Sequence, residues 1–189
     1  MKKIIFLFLF LSQLVQAQTT VSTVLLSGNT KTQNNIIIRE LSFEKDSSYT
    51  NLVLDKKIKE SKENLINLKL FNFVTINKTE NKNSAEIKIE VSEKWYIWPF
   101  PIFEISERNF NTWWEEFSAN NYSDFSRLNY GVSFNWENFR GRNELLKLKI
   151  RKGFKEHYLL AYEVPYFNKN KTIGMNTNLL FFGKIILMI

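Results

Sequence analysis

The sequence predicts a small α+β unit of order β-α-α-β-β, followed by antiparallel strands of a transmembrane β-barrel that is not complete. Three observations carry this. Residues 21–91 change their apolar period from strand-like to helical and back. Residues 95–182 alternate apolar and polar positions in runs near the ~9–11 residues a tilted strand needs to cross a bilayer. The chain is also rich in rings, with 17 Phe, 7 Tyr and 5 Trp among 189 residues, which suits the aromatic girdles of a membrane barrel.

The first segment reads as an address. Lys2 and Lys3 precede an unbroken apolar run, Ile4 to Leu11, and Val15-Gln16-Ala17 supplies small residues at a cleavage site. The run is well short of the ~20 residues of a spanning helix, so residues 1–17 are expected to be a signal peptide removed after Ala17. Loss of Lys2 and Lys3 would leave 24 basic against 19 acidic residues, net +5. No Cys follows the run, which excludes a lipoprotein anchor.

Val21 to Leu26 is a short β-like run closed by Ser27-Gly28-Asn29, where Gly28 suits a turn needing positive φ. Thr30 and Gln33 have the spacing of a capping box, so a helix is predicted from about Lys31 to Leu41, burying Ile37 and Leu41. Glu44 to Thr50 is polar and reads as a loop. Leu54, Ile58, Ser61, Leu65 and Leu68 then fall on one helical stripe, with Lys56, Lys57, Glu60 and Lys62 elsewhere. After Lys69 the pattern turns strand-like through Phe71–Ile76. Glu80 to Ser84 reads as a turn, and Ile87, Ile89 and Val91 alternate with Lys88 and Glu90.

These residues resemble the POTRA domain. Leu26-Ser27-Gly28-Asn29-Thr30-Lys31-Thr32 through Ile38-Arg39-Glu40-Leu41 is similar to its opening. Asn64–Val74 is similar to its second helix entering its second strand. The likeness implies that residues 21–92 form a periplasmic module that receives unfolded outer-membrane proteins or docks partner proteins, including lipoprotein assembly partners. A three-stranded sheet leaves an edge of unpaired amides and carbonyls, to which an extended client can add a strand. By the resemblance that edge is the second strand, Val74, Thr75, Ile76, Asn77, Lys78 and Thr79. The alternative is a protected edge that binds nothing.

Farther along, Trp95 to Glu104 is dense in rings and carries Pro99 and Pro101. Leu128, Tyr130, Val132, Phe134 and Trp136 share one face against Arg127, Asn129, Gly131, Ser133 and Asn135. Leu146, Leu148 and Ile150 alternate with Lys147, Lys149 and Arg151. Tyr158, Leu160, Tyr162 and Val164 form another such face, and Ile173, Met175, Leu179 and Phe181 a last one. In lipid every backbone polar group must be paired, so such strands belong to a closed sheet, with apolar faces toward lipid and polar faces toward a wet lumen. A soluble antiparallel sandwich also alternates. Rings near strand ends, Trp98, Trp136 and Tyr158, favour the membrane.

The run Arg108-Asn109-Phe110-Asn111-Thr112-Trp113-Trp114, then Asn138-Phe139-Arg140-Gly141-Arg142, then Val164-Pro165-Tyr166-Phe167, resembles the start of a BamA-like barrel, whose family assembles or translocates proteins at the outer membrane. The resemblance implies localisation in the cell outer membrane with a periplasmic N-terminal domain, and outer-membrane lipid as a partner. It implies periplasmic turns at Asn138–Asn143 and Pro165–Thr172, and outward connections at Glu107–Ser126 and Gly153–Glu156. Pro99 and Pro101 lack their amides on the same side of one strand, so they are candidates for keeping the family's barrel seam poorly paired. The alternative places them in a linker before the barrel.

About five barrel strands are visible where membrane barrels need at least ~8. Residues 183–189 lose the alternation and read as an atypical tail, as of a fragment. Catalysis has little support. His157 is the single histidine, no nucleophile elbow or Gly-rich phosphate loop is present, and no cluster has metal-ligand spacing. No cofactor is implied. The net charge of +7 is scattered among acids, so no nucleic-acid partner is expected. The function expected is an outer-membrane assembly or translocation factor. The alternative is a soluble periplasmic binding or scaffold module with a β-rich tail and no closed barrel.

Overall fold

The computed structural model describes residues 18–106, 109–125, 127–168 and 171–184, so the expected signal peptide, residues 1–17, and the last five residues of the expected tail lie outside the described residues. The chain divides into two compact units, residues 1–94 and 95–189.

In the first unit, β1 (Gln18–Ser27) leads through α1 (Asn34–Ile38) and the short β2 (Ser48–Thr50) into α2 (Asn51–Asn67). The hairpin β3 (Phe71–Asn81) and β4 (Ser84–Glu93) follows. The sheet order is β2-β1-β4-β3, with β1 parallel to β4 and β3 antiparallel to it. The core forms because three patterns converge. Ala85, Ile87, Ile89 and Val91 point one way from β4, and Val21 and Val74 join them from β1 and β3. Leu54 and Leu65 of α2 and Ile37 of α1 close over that face. Burial of such side chains contributes about 1.5–3 kcal/mol each.

Three expectations need correction. The first helix is far shorter than Lys31–Leu41, because the Thr30 hydroxyl and the amides of Thr30, Lys31 and Thr32 are bound by the Glu93 carboxylate instead of starting a helix. Gln33 takes the N-cap position and makes no side-chain cap. The stretch read as a loop contains β2, which pairs with the start of β1 (Gln18↔Thr50), so the sheet has four strands, not three. The β3–β4 turn is also tighter than expected. It holds only Lys82 and Asn83, with Lys82 at φ 53.

The second unit is an antiparallel meander. Its strands are β5 (Ile97–Ile105), β6 (Leu128–Phe139), β7 (Glu144–Gly153), β8 (Lys155–Val164) and β9 (Met175–Lys184), each paired with the next. Among the described residues its sheet is open, with β5 and β9 at the two edges. The β5–β6 connection, expected only as an outward connection over Glu107–Ser126, contains α3 (Phe110–Ala119). The Asn109 side chain caps it by accepting from the Asn111 amide at 3.0 Å. The strand β9 itself extends into the tail as far as Lys184. Glu115 and Glu116 sit on α3, and Glu116 pairs with Arg127 at 3.1 Å. His157 lies within β8.

Candidate functional site

The edge residues named from the sequence lie on β3, which pairs with β4 and, among the described residues, has no neighbour on its other side. Inside the strand the phase is strict. Val74 is buried, and Ile76 and Lys78 are half-buried toward α2, while Thr75, Asn77 and Thr79 are exposed on the opposite face. A turn of two residues closes on a pair that exchanges both backbone hydrogen bonds, here Asn81 and Ser84. Alternation from that pair turns the amides of Asn77 and Thr79 toward β4 and those of Val74, Ile76 and Lys78 outward. Lys78 is fixed against α2 by Asp55 at 2.5 Å and sits 2.7 Å from Glu80. Burial alone would depress its pKa; the hydrogen bonds and charges of Asp55 and Glu80 outweigh that and raise it. The free edge is therefore a row of backbone donors and acceptors beside a charge-clamped lysine.

Pro99 and Pro101 both lie within β5, paired opposite Phe134 and Val132, so they are strand residues and not linker residues. Two bonds fix which way their nitrogens point. The Glu137 amide donates to the Tyr96 carbonyl at 2.8 Å, and the Ser106 amide donates to the Arg127 carbonyl at 2.9 Å. Even-numbered residues of β5 thus face β6 along an unbroken register, and odd-numbered ones face away. The two missing donors fall on the unpaired edge, where a strand alongside would find gaps at its centre.

The sheet they border has inverted polarity. Register aligns Phe103, Tyr130, Val132, Leu148, Ile150, Leu160, Leu179 and Phe181 on one face. All of these are exposed, Leu179 at 63% and Phe103 at 71%. The other face carries Asn129, Ser133, Asn135, Lys147, Lys149 and Arg151, none of them in the exposed class. Across the inner strands β6–β8, charged and amide groups occupy the more enclosed side and aliphatic groups the open one, the reverse of a soluble sheet. On the edge strands that second face also exposes apolar groups, Trp98 and Phe100 of β5 and Leu180 and Phe182 of β9.

Two carboxylates went unremarked in the sequence reading. Glu93 gathers the 30–32 turn, and Glu144, only 1% exposed, is held by Arg140 through paired bonds of 3.0 and 3.2 Å, with Arg142 at 3.4 Å. Both acids stand in the apolar phase of an alternating strand, after Ile87, Ile89 and Val91 and before Leu146, Leu148 and Ile150. That displacement was the available signal.

No protein-family model and no curated protein sequence matches the chain. Its fold is similar to that of the BamA crystal structure from Haemophilus ducreyi lacking POTRA domains 1–3. The TM-score is 0.61 at 16% identity, over 87% of this chain and 27% of that one. CdiB from Acinetobacter baumannii aligns at TM-score 0.44 and 12% identity over 77% of this chain and 25% of its own. CdiB from Escherichia coli aligns at 0.42 and 6%, over 78% and 26%. The chain spans about a quarter of the length of these structures.

Proposed function

We propose that this chain contributes a periplasmic docking unit and outer-membrane strands to a factor that assembles or translocates proteins at the outer membrane. The observation that carries this reading is the inverted polarity of the inner strands β6–β8, with aliphatic and aromatic side chains exposed and Lys147, Lys149 and Arg151 on the enclosed face. Such a sheet suits lipid outside and water inside. Among the described residues no helix is long and apolar enough to cross a membrane. The BamA-like fold extends over 87% of the chain, more than residues 95–189 alone could supply, which supports a POTRA-type assignment for the first unit.

In this reading an unfolded client adds a strand along β3. It engages the outward amides of Val74, Ile76 and Lys78, and because the contacts are main-chain, sequence matters little. The proline-gapped edge of β5 stays weakly paired, so that strands can part there toward lipid. Lipoprotein or other periplasmic partners would dock on the first unit, and no catalytic step or cofactor is required.

Fractionation tests the reading. The full chain is expected in the outer-membrane fraction, resistant to high salt and carbonate and extracted only by detergent. Release with the periplasmic contents would replace it with a soluble binding or scaffold module.

A further inference from the structure

The β6–β7 turn builds a second kind of site. Asn138, Arg140, Gly141 and Asn143 all have positive φ, and the Asn138 side chain accepts from the Asn143 amide at 2.9 Å, clipping the turn shut. This brings Arg140 and Arg142 onto one buried carboxylate, Glu144. An isolated carboxylate at that depth would be costly, so both guanidinium groups are held where they are. Together the three side chains carry a net charge of +1, and the arginine side chains remain 53% and 46% exposed.

Rings fix which way the cluster faces. Trp136, Leu146 and Tyr162 lie in register on the apolar face. Phe139 meets Trp136 edge-on at 5.0 Å, and the Arg140 guanidinium lies over the rings of Phe139 and Tyr162 at 5.5 and 5.7 Å. It also donates to the Tyr162 hydroxyl. The basic groups thus cap the end of the face that meets lipid, not the enclosed polar face. The β8–β9 turn, at the same end of the meander, presents exposed Phe167 and Tyr166.

The geometry points to a binding site for the phosphate of an anionic phospholipid, held by Arg142 and Arg140 at the headgroup level of the leaflet that meets this turn. This rests on the membrane-spanning reading above. Arg142 meets Glu144 through Nε, which leaves its two terminal nitrogens as a fork for phosphate oxygens, while Arg140, whose Nε and Nη2 are committed to Glu144 and Tyr162, contributes chiefly charge. Rings at that depth anchor the backbone, and the surplus positive charge selects an anionic headgroup over a zwitterionic one.

The test is flotation of the full chain with vesicles of phosphatidylcholine alone or with one-third phosphatidylglycerol. Wild type is expected to float with both, and its partitioning to rise about fivefold with the anionic lipid. R142Q keeps the Arg140–Glu144 pair, and R140Q/R142Q/E144Q leaves no lone buried carboxylate. Both are expected to float with phosphatidylcholine and to lose most of that rise, whereas K147Q, on the polar face, keeps it. A rise retained by the first two variants, lost equally in K147Q, or absent from wild type overturns the site while leaving the membrane reading in place. If inorganic phosphate at matched ionic strength abolishes the rise, the site takes free phosphate and the lipid assignment fails. A chain that floats with neither vesicle removes the membrane reading and this site with it.

Discussion

The Glu93 carboxylate accepts the Thr32 amide at 2.6 Å, joining the last residue of β4 to the turn that follows β1, sixty-one residues earlier in the chain. It also accepts from the amides of Lys31 and Thr30 at 2.9 and 3.1 Å and from the Thr30 hydroxyl at 2.8 Å. Burial pushes the carboxyl pKa up, but the bonds from Thr32, Thr30 and Lys31 outweigh this and hold it below its usual 4.5.

A depressed carboxyl pKa sets the sign of the pH dependence. The stabilisation is fully present above the ordinary carboxyl value and fades as pH falls through the lower folded value. Amide exchange in residues 28–33 is therefore expected to be slow near neutrality and to quicken below about pH 4 after correction for intrinsic rates. Glu93→Gln should lose roughly 1–2 kcal/mol at neutral pH, discounted for partial exposure, and flatten the acid response. Unchanged acid sensitivity in that variant would assign the transition to another group.

Ser61 offers a second test, inside the core. Its hydroxyl is fully buried, donates to the Lys57 carbonyl at 2.7 Å and accepts from the Ser42 amide at 2.8 Å. Ser61→Ala leaves the Ser42 amide without that acceptor, at a cost of about 1–3 kcal/mol. Leu52→Ala, on the same helix but 84% exposed, is expected to stay within about 0.5 kcal/mol of wild type. Denaturant unfolding of the two variants side by side checks the contrast.

The elements set by local period were readable, and those set by distant partners were not. Leu54, Ser61 and Leu65 announced their helix because the stripe is local, and all three are fully buried. Thr30 and Gln33 have the spacing of a cap, yet the hydroxyl is committed to an acid sixty-three residues away, which no window on the sequence contains. The helix α3 was legible and missed. Phe110, Trp113, Trp114 and Phe117 have helical spacing, and their rings stack along one side, Trp113 on Phe117 at 4.9 Å. The segment was read only as an outward connection, from the family resemblance. The strand phases of the second unit were visible, but only the register shows that Arg140, Glu144 and Tyr162 meet.

Strand phase makes opposite predictions for neighbouring residues of β3. The amide of Ile76 faces the free edge, so Ile76→Pro removes an outward donor and some packing but no ladder bond, and the first unit should remain folded. Asn77→Pro removes a donor facing β4 and a ladder hydrogen bond with it, and should cost about 1–3 kcal/mol. Under the docking proposal, crosslinking of an unfolded client to β3 is abolished in Ile76→Pro although hydrogen exchange in β4 is unchanged. Crosslinking at wild-type level in that variant would show that β3 is not the docking edge.

The same logic applies at β5, where nature has already placed the prolines. Pro99→Thr with Pro101→Thr restores two amides on the edge facing away from β6, leaving the Phe134 and Val132 pairs intact. If this edge lies at a weakly closed seam, the two new donors complete its pairing. Each added hydrogen bond is worth about 0.5–1.5 kcal/mol, so exchange of the Ile97 and Phe103 amides in membranes should slow by roughly tenfold or more. Client insertion should slow with it, because the strands part less often. Exchange that stays fast at both amides would mean that β5 has no partner on that side, and the prolines would then serve only to keep a free edge from recruiting strands.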